Sequence, residues 1–212
     1  MRTHNKESQA TVTPKMALQF LKEGNHRFVN NLKFNRNLLE QVNETREGQW
    51  PFAVILSCID SRTSAELIFD QGLGDIFSIR IAGNVVNEDI LGSMEFACKV
   101  AGSKLIVVLG HSKCGAIKGA CSGVQMGNLT GLLKKIQPSV DKVKGQSHTS
   151  DEDPQLVEEV ARENVLRQVD EIAKRSDLIQ EMLQQGKIGI AAGMYSVETG
   201  EVEFIYEKNT TN

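Results

Sequence analysis

The stretch Leu105-Ile-Val-Val-Leu-Gly-His-Ser-Lys-Cys-Gly115 decides how the rest of the chain reads. Its first five residues are apolar throughout, the pattern of a strand covered on both faces. The run then breaks into a glycine, a histidine and a cysteine. Outward from it, Phe52-Ala-Val-Ile-Leu56 and Ile76-Phe-Ser-Ile-Arg-Ile81 are two more runs of strand type. Between them, residues 64–70 read as a short helix stopped by Gly72 and Gly74. Residues 89–101 read as a longer helix with Ile90, Met94, Phe96, Ala97 and Val100 as its apolar positions, ended by Gly102. Leu156, Val160, Val165, Val169 and Ile172 recur at helical spacing over 156–175. Ser176-Asp177 caps a shorter helix that ends before Gly186. Residues 187–197 then predict a strand, Thr199-Gly200 a hairpin turn and residues 202–205 a last strand. Strands alternating with helices of these lengths define an α/β class with a mainly parallel sheet.

Towards the N-terminus, residues 1–12 are polar and read as a loose tail. Thr13-Pro14 is an N-cap followed by proline at the first helical position. Met16, Leu18, Phe20, Leu21 and Phe28 predict an amphipathic helix to about residue 31, and 33–49 form a connector with room for short helices. The chain is thus expected to be one domain: tail 1–12, N-terminal helical arm 13–48 and α/β core 49–212. Residues 145–155 are expected to be a loop, with His148 and the acidic 151–153 run in solvent, and His26 is likewise expected to be a solvent-exposed bystander.

Composition sets the outer bounds. With 212 residues, 40% hydrophobic and 24% charged, the chain is long enough to bury a core and too apolar for disorder. A net charge of −3 argues against a nucleic-acid partner. No apolar run approaches the ~18 residues that span a bilayer, and the first residues lack an apolar signal core, so no membrane partner and a cytoplasmic setting are expected. Four cysteines are too few for a disulfide framework in a chain of this length, which leaves packing, metal ligation or nucleophilic chemistry.

Three segments carry the chemistry, each where a strand gives way to a loop: Ser57-Cys-Ile-Asp-Ser-Arg62, Ile81-Ala-Gly-Asn84 and Gly110-His-Ser-Lys-Cys-Gly115. In an open parallel sheet the carboxyl ends of strands are where ligands bind, so the three can converge. Cys58, His111 and Cys114 offer two thiolates and an imidazole, donors suited to zinc, and three protein ligands with one open position is a catalytic arrangement. Asp60 is the candidate fourth ligand. A two-point pair with Arg62 would instead hold its carboxylate off the metal. Cys98 and Cys121 lack such a setting and read as packing residues.

Cys58-x-Asp60-x-Arg62 followed by His111-x-x-Cys114-Gly115 resembles the zinc signature of the β-class carbonic anhydrases. The likeness extends over Arg80-Ile-Ala-Gly-Asn84 and Tyr195-Ser-Val-Glu-Thr-Gly-Glu-Val202, from about residue 14 to 206. It implies zinc-dependent interconversion of carbon dioxide and bicarbonate by a zinc-bound hydroxide. It also implies four parallel strands with a fifth antiparallel one, and a helical arm that wraps a partner in a homodimer or tetramer. The substrate pocket resembles that of plant members, with Gln49 and Phe77 in matching places and Ala82 where those have valine. The family's inhibitory bicarbonate site needs a tryptophan where this chain has Ile55, so that site is not expected. Phe96 follows Glu95 where the plant-like pocket has a tyrosine, so a hydroxyl is lost.

In this reading Asp60 accepts a hydrogen bond from the nucleophile and holds Arg62. Phe77 and Ala82 form a dry wall, and Gln49 and the Gly115 N–H steady the oxygen that gains charge. No histidine lies near these motifs to shuttle the proton. Competing readings are a carbon disulfide or carbonyl sulfide hydrolase on the same ligands, a non-catalytic zinc-binding subunit and a thiol redox protein, the last disfavoured by the absence of C-x-x-C spacing. Two thiolates neutralise the metal's charge and weaken it as a Lewis acid, so water should ionise above the ~7 of a three-imidazole site. Turnover is therefore expected to climb into the alkaline range; a pH–rate profile already flat below pH 7 would count against the two-thiolate set.

Overall fold

The computed structural model describes residues 4–145 and 153–210. In chain order its helices begin with α1 (Lys6–Thr11), α2 (Pro14–Val29) and α3 (Leu38–Thr45). Strand β1 (Ala53–Ser57), α4 (Ala65–Ile68) and β2 (Ile76–Arg80) follow. A 3-10 turn (Ala82–Asn84), α5 (Glu88–Glu95) and a π-helical turn (Phe96–Val100) lead to β3 (Leu105–His111). Then come α6 (Gly115–Cys121), α7 (Gly127–Leu133), α8 (Gln137–Lys144), α9 (Pro154–Arg175), α10 (Asp177–Gln184), β4 (Gly189–Tyr195) and β5 (Val202–Lys208).

The five strands form one sheet in the order β2-β1-β3-β4-β5, parallel except for β5, which runs antiparallel to β4. The three central strands are buried along their whole length, which explains their unbroken apolar runs. Alternate residues face opposite layers. Ala53, Ile55, Leu105 and Val107 meet Ala17, Leu18 and Leu21 of α2 and Ala65 and Ile68 of α4. Val54, Leu56, Ile106 and Val108 meet the layer of α5, α9 and α10. Full burial of Leu18 and Leu21 is worth roughly 2 kcal/mol each, so α2 is fastened to its own sheet and is not a free arm. Among the described residues no helix is long and apolar enough to cross a membrane.

Several expectations change. Residues 6–11 of the supposed loose tail are helical: Asn5 and Ser8 form a reciprocal capping box, and the buried Gln9 donates from Nε2 to the Pro51 and Ala101 carbonyls, both at 2.8 Å. Polar residues with their own cap leave no apolar rhythm to read. The predicted 89–101 helix tightens into α5 and then widens into the π-helical turn, which buries Ala97 and Cys98 and turns Phe96 and Val100 outward. Pro154 and Gln155 open α9 behind an Asp153 N-cap. The rest of the predicted 145–155 loop, 146–152 with His148, lies outside the described residues. His26 is exposed and Cys98 and Cys121 are core residues, as expected. Burial pushes the Cys98 thiol up to about 12, which makes it inert.

A buried ion cluster pins the connector to the end of α4. Asp70 accepts from Arg27 Nε at 2.6 Å, Arg36 Nη1 at 2.5 Å and the Phe34 N–H at 3.3 Å. Burial alone would raise the Asp70 carboxyl, but the two guanidiniums and the Phe34 N–H outweigh it and hold it below the ordinary carboxylate range. This stabilisation is complete above the unfolded carboxyl value of about 3.9 and is lost as pH falls through the lower folded value. Asp70→Asn leaves two guanidiniums without their counter-charge, and we expect a loss of about 3 kcal/mol at pH 7 by urea unfolding. The variant's stability should also fall less between pH 7 and pH 3 than the parent's; an unchanged pH dependence would show that the cluster contributes nothing.

Candidate metal centre

Strands β1 and β3 lie side by side in parallel register, Ser57 opposite Leu109, so both open at the same sheet edge. Cys58 is the first residue past β1, and His111 is the last of β3. Lys113, at φ 55°, makes the left-handed turn that delivers Cys114 to the N-cap of α6. The turn is tied down on three sides: Ser112 N–H to Tyr195 O at 2.9 Å, Val197 N–H to Ser112 Oγ at 3.0 Å and Lys113 N–H to Glu158 Oε1 at 2.6 Å. The third segment completes the edge. Gly83 sits at φ 66° in the 3-10 turn after β2, and its N–H donates to Cys58 Sγ at 3.4 Å.

One ligand atom each from Cys58, His111 and Cys114 lie within 4.8 Å of one another, and all three residues are buried. The sulfurs stand 4.0 Å apart. Two sulfurs at the usual zinc–sulfur distance on a tetrahedral ion would be about 3.8 Å apart. His111 Nδ1 faces the Ser112 carbonyl at 2.9 Å. A carbonyl only accepts, so Nδ1 carries the proton and Nε2 presents its lone pair. That Nε2 is buried and has no hydrogen-bond partner among the described residues, as a ligand nitrogen awaiting a metal should be. Cys58 is lowered to about 4, first because the Cys114 thiol donates to it, against burial and with help from His111 and the Asp60 and Gly83 backbone. Cys114 is pushed above the thiol range by the same pairing and by burial. The donor set, its spacing and the orphaned nitrogen all fit a divalent zinc-type ion.

Asp60 stands beside the triad but outside it. Arg62 grips both carboxylate oxygens, Nε to Oδ1 at 2.9 Å and Nη2 to Oδ2 at 2.8 Å, and its own N–H reaches Oδ1 at 3.0 Å. That grip holds the carboxyl far below its ordinary range, so it is ionised. The loop beneath is clamped through its main chain: Arg80 donates to the Cys58 and Asp60 carbonyls, and Thr63 Oγ1 to the same two. Phe77 is half-buried on β2, its ring edge-on to Phe96 with centroids 6.2 Å apart. Ala82 opens the 3-10 turn, half-buried, and Gly115 opens α6 with open space where a side chain would stand. Gln49 is exposed and lines a surface hollow with Val42, Thr45 and Leu73. Arg80, Thr63 and the polar residues of α9 have no role in the sequence reading. The signal for the last is Asn164 and Gln168, two amides four apart on a helix face that is otherwise apolar.

A parallel sheet bearing a buried Cys–His–Cys triad next to an ionised carboxylate is the framework of a metal-dependent enzyme. Residues 53–202 match the family described as carbonic anhydrase. Carbonic anhydrase 2 of Mycobacterium tuberculosis is 37% identical over 195 residues, 88% of this chain and 90% of that one. The carbonic anhydrase of Mycolicibacterium smegmatis is 35% identical over 198 residues, 90% of this chain and 92% of that one. Among solved structures, the β-carbonic anhydrase CcaA superposes with a TM-score of 0.72 at 29% identity, covering 89% of this chain and 95% of that one. The chain belongs to the carbonic anhydrase family, in its β class.

Helix α9 presses directly on the ligand-bearing strand. A side chain at Gly110 would meet Val165 Cγ2 at 2.4 Å and Met194 Sδ at 2.8 Å. Gly110→Ala should therefore cost about 1–3 kcal/mol in urea unfolding, and Val165→Ala in the same chain should return part of it. A neutral Gly110→Ala would show that the helix does not set the position of His111.

Proposed function

We propose that this carbonic anhydrase binds zinc at Cys58, His111 and Cys114 and hydrates carbon dioxide reversibly to bicarbonate and a proton. The observation that supports this most is the buried, partnerless His111 Nε2 facing two sulfurs 4.0 Å apart. Bound zinc supplies the Lewis acidity that makes water a nucleophile near neutral pH. The chain's own residues do the rest. Asp60, ionised and acceptor-only, takes the proton-bearing side of the nucleophile and turns its lone pair towards the substrate. Arg62 grips both oxygens of that carboxylate and would keep it from serving as a further zinc ligand. Carbon dioxide has no charge to grip, so Phe77 and Ala82 offer it an apolar wall, and the Phe96 ring extends that wall where a hydroxyl would have broken it. The Gly115 N–H, at the first position of α6, donates to the oxygen that becomes negative.

Gln49, exposed beside α3, supplies the remaining donor across an interface between copies of this chain. The exposed Val42 and Leu73 beside it, and Leu38 and Leu39 on α3, are the surface such an interface would cover. The β-carbonic anhydrases of Sordaria macrospora are described as tetrameric, and we propose a homodimer or tetramer here, working in the cytoplasm.

Stopped-flow carbon dioxide hydration on protein of measured zinc content tests the reading. Cys58→Ser and His111→Ala should lose zinc and turnover together. Asp60→Asn should keep zinc and lose turnover by about a hundredfold or more, in line with removal of a single positioned charge at a reacting centre. Zinc loss in Asp60→Asn would make Asp60 a ligand instead, and an active, zinc-free parent would overturn the proposal.

A further inference from the structure

Helix α9 carries two amide side chains in a position where apolar ones would pack. Asn164 is fully buried and Gln168 nearly so. Burying an amide is costly unless its hydrogen bonds are made, and here they form a closed chain. Val86 N–H donates to Gln168 Oε1 at 2.9 Å, Gln168 Nε2 donates to Asn164 Oδ1 at 3.1 Å, and Asn164 Nδ2 donates to the Gly83 carbonyl at 2.9 Å. Both ends of the chain are backbone groups of one short segment, residues 83–86. The same Gly83 whose carbonyl is held donates its N–H to Cys58 Sγ at 3.4 Å. On its other side Gly83 is pressed against Ile136, with no room for a side chain and a backbone angle of φ 66°. The amide pair thus holds the 83–84 and 85–86 peptide groups, directly after the 82–83 peptide whose N–H meets the ligand sulfur, so a shift of this segment would carry that N–H with it.

We propose that Asn164 and Gln168 are positioning residues of the metal centre, holding the 83–86 segment so that the Gly83 N–H stays on Cys58 Sγ. This rests on the zinc-centre reading above. A hydrogen bond to a thiolate withdraws charge from the sulfur. With it in place the sulfur donates less to a bound ion, and the ion remains the stronger Lewis acid. Partners of ligand atoms of this kind typically alter metal affinity by tenfold or more.

The test uses the full chain loaded with Co2+, whose sulfur-to-cobalt charge-transfer band reports the electron density on sulfur, together with zinc affinity by chelator competition. Asn164→Leu and Gln168→Met should move the band to longer wavelength and shift the pH–rate profile towards alkali, and zinc affinity should change by about tenfold. Ile172→Ala, a change at a fully buried apolar side chain of the same helix that makes none of these hydrogen bonds, should lower the melting temperature but leave band and affinity alone. If the amide variants behave like Ile172→Ala, the residues are structural only and the proposal is overturned. A parent chain that shows no charge-transfer band would instead sink the metal centre itself. Should neither amide variant fold, the unaltered chain loaded with 113Cd decides: the Gly83 amide proton should couple to the metal through Cys58 Sγ, and the lack of that coupling would refute the assignment.

Discussion

The parallel pairing of β1 with β3 is the constraint on which the rest of the molecule depends. Neighbouring strands lie about 4.8 Å apart. When they run the same way, the residues that follow them emerge together, which brings Cys58 within reach of His111 and Cys114 across fifty-odd positions of sequence. Antiparallel pairing of the same two runs would send those ends to opposite edges of the sheet, about 17 Å apart for five residues. The apolar content of the runs follows from the same constraint. A parallel sheet needs crossovers on its faces, so its central strands are covered on both sides, here by α2 and α4 against α5, α9 and α10.

Much of this was legible in the residues because the features concerned are local and have few alternatives. Unbroken Val, Leu and Ile runs can only be buried, and cysteine and histidine just past two of them have chemistry in common. Asp60 and Arg62, two apart, can close a ring of hydrogen bonds without help from elsewhere, and they do. The features that escaped are those decided at a distance. Gln9 is a polar residue in a polar segment, and only the folded chain shows that two backbone carbonyls from 51 and 101 wait for it. Phe96 and Val100 continue a helical rhythm, but the wider π-turn rotates them outward.

Helix α9 emerges as the common support of two of the three segments, 81–84 and 110–115. Glu158 holds the turn between His111 and Cys114, Val165 backs Gly110, and Asn164 grips Gly83 beside Cys58. These contacts divide naturally by chemistry. An apolar side chain suffices where a strand must be backed, whereas loops with open N–H and C=O groups need polar partners even in the interior. That division accounts for amides in a helix face that is otherwise apolar.

The loop from 58 to 63 is held through its carbonyls by Arg80 and Thr63 and through the Asp60–Arg62 pair, while the Ile59 and Ser61 residues are exposed. Its shape is therefore indifferent to the letters written at those two places. Beside a centre where almost every atom is spoken for, 59 and 61 are open ground, on which evolution or a protein engineer can hang a fluorophore, a charge or a new recognition element without disturbing what lies beneath.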